Sequence, residues 1–127
     1  MVVDIKFDIG RDILESIFVK ALEGGSNYWY YLNNENYMKV SKTPTQSPAE
    51  AVFAAVYDKG IDIEIHDAEN EEESLGIISR DTIAERLQRM IATGYSHHLL
   101  AEISEEGDAE SSDVCFQFIV MGEYVFA

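Results

Sequence analysis

Residues 61–66 read Ile-Asp-Ile-Glu-Ile-His, an apolar β-branched side chain alternating with a polar one at every step. Only an extended chain sends every second side chain to the same face, so this stretch is committed to a strand with one face buried and one wet. Val3, Ile5 and Phe7 alternate in the same way with Asp4, Lys6 and Asp8, which predicts a second strand near 2–8. Between the two, the period changes. Ile13, Leu14, Ile17, Phe18, Ala21 and Leu22 recur at helical spacing and Gly24-Gly25 follows as a stop, predicting a helix near 10–23.

The same arguments extend along the chain. Ser47-Pro48-Ala49-Glu50 puts a serine cap, a first-turn proline and a glutamate three positions later in the right order to open a helix near 48–59. Leu75-Gly76-Ile77-Ile78 reads as a short strand over 75–78. Ser79 then caps a helix near 79–93 that carries Ile83, Leu87, Met90 and Ile91 on one face, and residues 97–103 could form another short helix. Val114 to Met121 is apolar enough for a buried strand, but Ser112-Asp113 before it and Gly122 after it are cap signals that favour a helix near 111–121, leaving 123–126 as a terminal strand. Two β-prone runs, Tyr28 to Leu32 and Tyr37 to Val40, flank Asn33-Asn34-Glu35-Asn36 and read as a hairpin over 28–40. The expectation is an α+β fold, a small mixed sheet packed with helices, in one globular domain spanning 1–127.

Charge narrows the partners. The chain carries 24 acidic and 9 basic residues for a net charge of −15, which repels phosphate backbones and anionic lipid, while its 46% apolar content is that of a folded protein. Direct nucleic-acid or membrane binding is therefore not expected; a basic protein or a small ligand is. The N-terminus lacks the basic flank and apolar run of a signal peptide, no stretch nears the ~18 apolar residues of a membrane span, and Cys115 is alone, so the expected location is cytoplasmic. These features leave the oligomeric state open.

Each familiar catalytic or metal arrangement lacks a component. His98 and Glu102 would share a helix face, but two ligands do not make a metal site. Asp67, Glu69 and Glu71 alternate like calcium-loop ligands, yet Glu72 occupies the sixth position, where the sharp turn needs glycine, and Ile78 the twelfth. Cys115 sits among Val114, Phe116 and Phe118 as a small core residue does, and Gly24-Gly25 has no following Gly-Lys-Ser to cradle a phosphate. No catalytic residue, metal or cofactor is expected.

Two features remain as binding candidates. Asn27, Tyr28, Trp29, Tyr30, Tyr31, Asn33 and Tyr37 concentrate groups that both stack and hydrogen-bond, although aromatic residues serve packing first. Residues 60–79 hold seven carboxylates without a lysine or arginine, and residues 90–127 hold seven more, again without one. Within these regions Asp67, Glu69, Glu71, Glu72, Glu73, Glu105, Glu106, Asp108 and Glu110 are candidates for an acidic surface; on one face they would imitate a nucleic-acid backbone, and otherwise they keep the protein soluble.

Two blocks, Ala21-Leu22-Glu23-Gly24-Gly25-Ser26-Asn27-Tyr28-Trp29-Tyr30 and Asp108 through Phe118 to Gly122-Glu123-Tyr124-Val125, resemble small proteins of unassigned activity carried by bacteriophages and other bacterial mobile elements. The resemblance covers about a quarter of the chain and brings no catalytic residue or cofactor; it implies a bacterial, mobile-element accessory protein. The leading expectation is a non-enzymatic acidic binding protein that inhibits a host nucleic-acid-handling or defence protein by mimicry. The alternatives are a binder of a small nucleotide-like molecule that uses the Tyr/Trp/Asn segment, and a cryptic hydrolase.

Overall fold

The computed structural model describes residues 1–2 and 6–127. Its elements run α1 (Arg11–Lys20), β1 (Tyr30–Tyr31), α2 (Asn34–Tyr37), α3 (Pro48–Tyr57), β2 (Ile63–Asp67), β3 (Ser74–Ile78), α4 (Arg80–Ala92), α5 (Ser96–Ile103) and α6 (Ala109–Met121), an α+β fold. Of the strand expected near 2–8, residues 3–5 lie outside the described residues, and residues 6–8 belong to no regular element.

The described strands form one sheet in the order β1-β2-β3, antiparallel throughout rather than mixed. Tyr30 faces Asp67 across the β1-β2 pair, while Ile63 faces Ile78 and Ile65 faces Gly76 across the β2-β3 pair. The alternation in 61–66 acts as expected through Ile65, with Ile63 and Ile65 fully buried and Glu64 not, but His66, expected on the wet face, is buried as well, beside a register shift between Ile65 and His66. The strand begins two residues late because the Ile61 amide is still bonded to the Ala55 carbonyl of α3, at 2.9 Å. Residues 68–73, which carry the acidic run, turn the chain between β2 and β3.

Helix ends refine the sequence reading. Ser47 and Glu50 form the reciprocal capping pair that opens α3. Gly24-Gly25 does not stop α1 with a left-handed residue; the helix continues through Ala21–Gly25 as a π-helical turn closed by Ser26 N–H on the Ala21 carbonyl at 2.9 Å. Gly25 is needed for closeness, since a Cβ there would stand 2.6 Å from the Ala109 carbonyl oxygen of α6. α6 opens at Asp108, whose carboxylate accepts from Ser111 N–H at 2.9 Å, so Ser112 and Asp113 lie inside the helix and point into the protein instead of capping it. It ends at Gly122, at φ +77° in the left-handed region.

α6 is the centre of the molecule. Every residue from Ser111 to Val120 is buried, and the helix packs against α1, α4, α5 and β3. A helix wrapped on all sides needs no polar stripe, which is why its sequence also reads as a buried strand. Around it, Phe18 meets Phe53 and Phe116 edge-on at 5.0 and 5.5 Å, and Trp29 lies 5.9 Å from Phe116. Gly76 lets β3 press onto α6, since a Cβ there would fall 2.2 Å from the Val120 carbonyl oxygen.

Two expected strands do not form, and a side-chain amide replaces each. In the expected hairpin over 28–40, Asn33 accepts from Asn36 N–H at 2.9 Å and so caps α2, while the Asn36 carboxamide oxygen takes the Glu64 amide of β2 at 2.9 Å. β1 therefore pairs with β2 and not with residues 37–40. Over the expected terminal strand 123–126, the Gln117 oxygen accepts from Val125 and Phe126 N–H at 3.0 and 2.8 Å, and its nitrogen donates to the Phe126 carbonyl at 2.8 Å. The amide supplies three of the bonds that a neighbouring strand would offer, and the Tyr28 hydroxyl adds one to the Phe126 carbonyl at 3.1 Å.

Candidate binding surface

The aromatic segment divides between core and surface. Trp29 is 1% exposed, with its ring stacked on Phe126 at 5.6 Å and 10°. Its indole nitrogen donates to Asp113 at 2.7 Å, and Asp113 also accepts from Ser26 Oγ at 2.8 Å, Tyr28 hydroxyl at 2.5 Å and Gln117 Nε2 at 3.2 Å. Four neutral donors thus surround a buried carboxylate in place of a cation. The hydroxyl of Tyr28 is tucked into this network while its ring stays half open to solvent; burial of the hydroxyl, then its bond to Asp113, pushes its pKa well above the usual tyrosine range.

The other aromatic candidates line a groove. Asn27, Tyr30, Tyr31 and Tyr37, together with Glu23, Leu22, Leu32, Pro48, Ala49 and Val52, enclose about 490 Å³ between the end of α1, β1, α2 and α3. Leu22, Ala49 and Val52 are buried and form its floor; Glu23, Asn27 and Tyr37 are exposed at its rim. The Tyr30 hydroxyl donates to the Leu22 carbonyl at 2.6 Å, fixing that ring, and burial raises its pKa. Asn33 lies outside the groove, capping α2 with its amide nitrogen 3.4 Å from His66 Nε2. A smaller cleft of about 270 Å³ runs between Tyr28, Trp29, Asp67, Glu69 and residues 125–127. A groove of about 460 Å³ beside α1 and α4 is lined by Leu14, Ile83, Leu87 and Ile91, the apolar helix faces read from sequence, and includes none of the binding or acidic candidates among the described residues.

The acidic candidates are mostly exposed. Glu69, Glu71, Glu72 and Glu73 stand on the β2-β3 turn; Glu105 and Glu106 lie between α5 and α6; Asp108 and Glu110 stand at the start of α6; Asp67 is half-buried. Among the described residues none of these nine takes part in an ion pair. Several cations are engaged elsewhere. Arg11 pairs with Asp58 at 2.6 Å, Lys20 with the buried Glu102 at 2.6 Å and Arg89 with Glu85 at 2.7 Å. Arg86 donates to the Val120 carbonyl at 2.8 Å near the end of α6, and Arg80 to the Tyr57 carbonyl at 3.1 Å at the end of α3, where helix dipoles favour positive charge.

Trp29 touches both acidic regions. Its carbonyl accepts from Ala68 N–H at 2.8 Å in the β2-β3 turn, and its indole donates to Asp113, which stands one turn inside the helix begun by Asp108 and Glu110. The sequence did not show that Trp29 alone of the aromatic candidates would be buried, nor that Asp113 and Gln117 would hold it and the C-terminal segment, because their burial within α6 depends on tertiary packing.

The groupings considered for chemistry are engaged in structure. The ring centres of His97 and His98 lie 4.0 Å apart with the planes tilted by 40°, and burial followed by His97 lowers the pKa of His98. Cys115 is buried and its thiol is pushed up by desolvation, the reverse of an activated nucleophile. Among the described residues no three of His, Cys, Asp or Glu are grouped to hold a metal, and no helix is long and apolar enough to cross a membrane. Compared with protein-family models, curated proteins and solved structures, the chain matches none.

Proposed function

We propose that this is a non-enzymatic binding protein, an accessory protein of a bacterial mobile element working in the cytoplasm, that presents unpaired carboxylates to a basic partner. In its sharper form it occupies the nucleic-acid groove of a host nucleic-acid-handling or defence protein. One observation carries the reading: the Trp29 segment bonds to both the β2-β3 turn and α6, tying two acidic stretches far apart in sequence to one structural element. The nine candidate carboxylates in them are free of ion pairs among the described residues, so they repel one another in the isolated protein and gain when a cationic surface arrives.

The test is capture from a bacterial lysate at low and high salt. A partner with a basic surface should be retained at low salt, released at high salt, and lost when Glu69, Glu71, Glu72 and Glu73 are changed together to Gln. Retention unaffected by both salt and those substitutions sinks the mimicry reading.

The second reading is a small-ligand site, favoured by the aromatic groove of about 490 Å³, within the size range of ligand pockets. Among the described residues its lining has one carboxylate and neither lysine nor arginine, which suits a neutral or cationic ligand better than a phosphorylated one.

A further inference from the structure

We propose that the groove beside Tyr30, Tyr31 and Tyr37 is a receptor for an arginine side chain presented by a partner protein. The inference rests on reading the groove as a binding site and is independent of the acidic turn. Three phenol rings and the Asn27 amide surround an apolar floor, and among the described residues Glu23 supplies the only charge in the lining. Glu23 is exposed and joins no ion pair among the described residues. Aromatic faces carry negative electrostatic potential, so rings beside a free carboxylate favour a cation.

The kind of cation follows from the surroundings. A lysine ammonium is compact and strongly hydrated and loses much on entering a groove floored by Leu22, Ala49 and Val52. A guanidinium is flat and more weakly hydrated; it stacks on a ring while its edge donates in parallel to a carboxylate such as Glu23. Tyr30 is held ready for this, because its hydroxyl is bonded to the Leu22 carbonyl and its ring need not be ordered on binding. A volume of about 490 Å³ exceeds one side chain, so the flanking backbone of the partner enters as well, with Asn27 at the rim to hydrogen-bond it. A net charge of −15 draws such a segment in.

The experiment titrates the ¹⁵N-labelled full chain, at physiological salt, with four probes: acetyl-Ala-Ala-Arg-Ala-Ala-amide, its lysine and citrulline counterparts, and free agmatine. The arginine peptide should give saturable shifts at the amides of Asn27, Tyr31 and Tyr37. The lysine peptide should bind about fivefold more weakly, and Glu23→Gln should weaken the arginine peptide by a similar factor, about fivefold. The variant with Gln at 69, 71, 72 and 73 should bind the arginine peptide as the parent does.

Equal binding of the citrulline peptide overturns the choice of a cation, and agmatine binding more tightly than the peptide reassigns the groove to a diffusible guanidine. Shifts confined to residues 67–73 show only non-specific attraction and overturn the proposal. No groove shift with any probe removes the groove itself as a site, while leaving the salt-sensitive capture to stand or fall alone.

Discussion

Asp113 and Trp29 meet at 2.7 Å, carboxylate to indole nitrogen, inside the protein, and the same oxygen takes the Ser26 hydroxyl at 2.8 Å. The first prediction concerns this junction. Asp113→Ala strands the Trp29 and Ser26 donors in a buried place and should cost about 3 kcal/mol or more, read as a lower urea midpoint. Asp113→Asn keeps one acceptor oxygen for those two donors but turns an amide toward the Tyr28 hydroxyl, which can accept, and the Gln117 nitrogen, which cannot, so it should cost less, about 1–2 kcal/mol. Equal losses for both variants would mean that the charge, not the hydrogen-bond count, holds the junction.

Phe126 stacks on Trp29, the only tryptophan. Phe126→Ala should lower stability by roughly 1–2 kcal/mol, from lost apolar burial and stacking. It should also open the indole to water. A red shift and greater iodide quenching of the intrinsic fluorescence, without loss of helical circular dichroism, is the expected outcome; unchanged emission contradicts the stacking.

Gly76 is irreplaceable for a steric reason. Gly76→Ala would set a methyl 2.2 Å from the Val120 carbonyl oxygen, and backbone cannot swing aside as a flexible side chain does. Separating β3 from α6 should cost about 2 kcal/mol or more. Gly10→Ala, where the added methyl meets nothing within 4 Å, is the control and should be near neutral. Comparable midpoints for the two variants would contradict this packing.

Acid and salt should act in different pH ranges. Asp108 and Glu50 are held below their ordinary values chiefly by backbone N–H groups, of Ser111 and Ser47 respectively, Asp58 by the Arg11 side chain, and Glu64 by the His66 ring. A depressed folded pKa means that the unfolded chain takes up protons first as pH falls. Their contribution is therefore full above the ordinary values, 4.5 for Glu and 3.8 for Asp, and is lost as pH falls through the lower folded values. The melting temperature should drop from about pH 4.5 downward, and Asp108→Asn should flatten part of that limb. At pH 7 the self-repulsion of the −15 chain dominates, so raising salt from roughly 0.02 to roughly 0.3 M should raise the melting temperature. A melting temperature that is flat in both titrations contradicts the account.

What the sequence made legible was local or periodic. The isoleucine alternation at 61–66 and the Ser47 to Glu50 cap are set by neighbours a few residues away; the cap appears where expected and the strand two residues late, over Ile63–Asp67. Val114 to Met121 was resolved by its flanks, though the operative cap was Asp108 rather than Ser112-Asp113. Illegible were the contacts in which a distant carboxamide takes a main-chain role. Asn36 in a run of turn formers, and Gln117 in an apolar run, carry no local sign that each will satisfy another segment's peptide groups. For the candidate site, the tyrosines and Asn27 were visible as a cluster, but the sequence did not separate the buried Trp29 from the groove-lining rings. That division depends on Asp113, which is 84 residues away.

Gln117 has a kinetic consequence. A strand shares its hydrogen bonds along a ladder, so one broken link is held in place by the next; here three bonds depend on one side chain. A single rotation of that carboxamide frees the Val125 and Phe126 amides together, leaving Phe126 held by the Tyr28 hydroxyl at 3.1 Å and by the Trp29 ring. The C-terminal segment is thus fastened at two points, a carboxamide pin of three bonds and an aromatic clasp at Trp29, and it opens only when both let go, while α6 stays shut behind it.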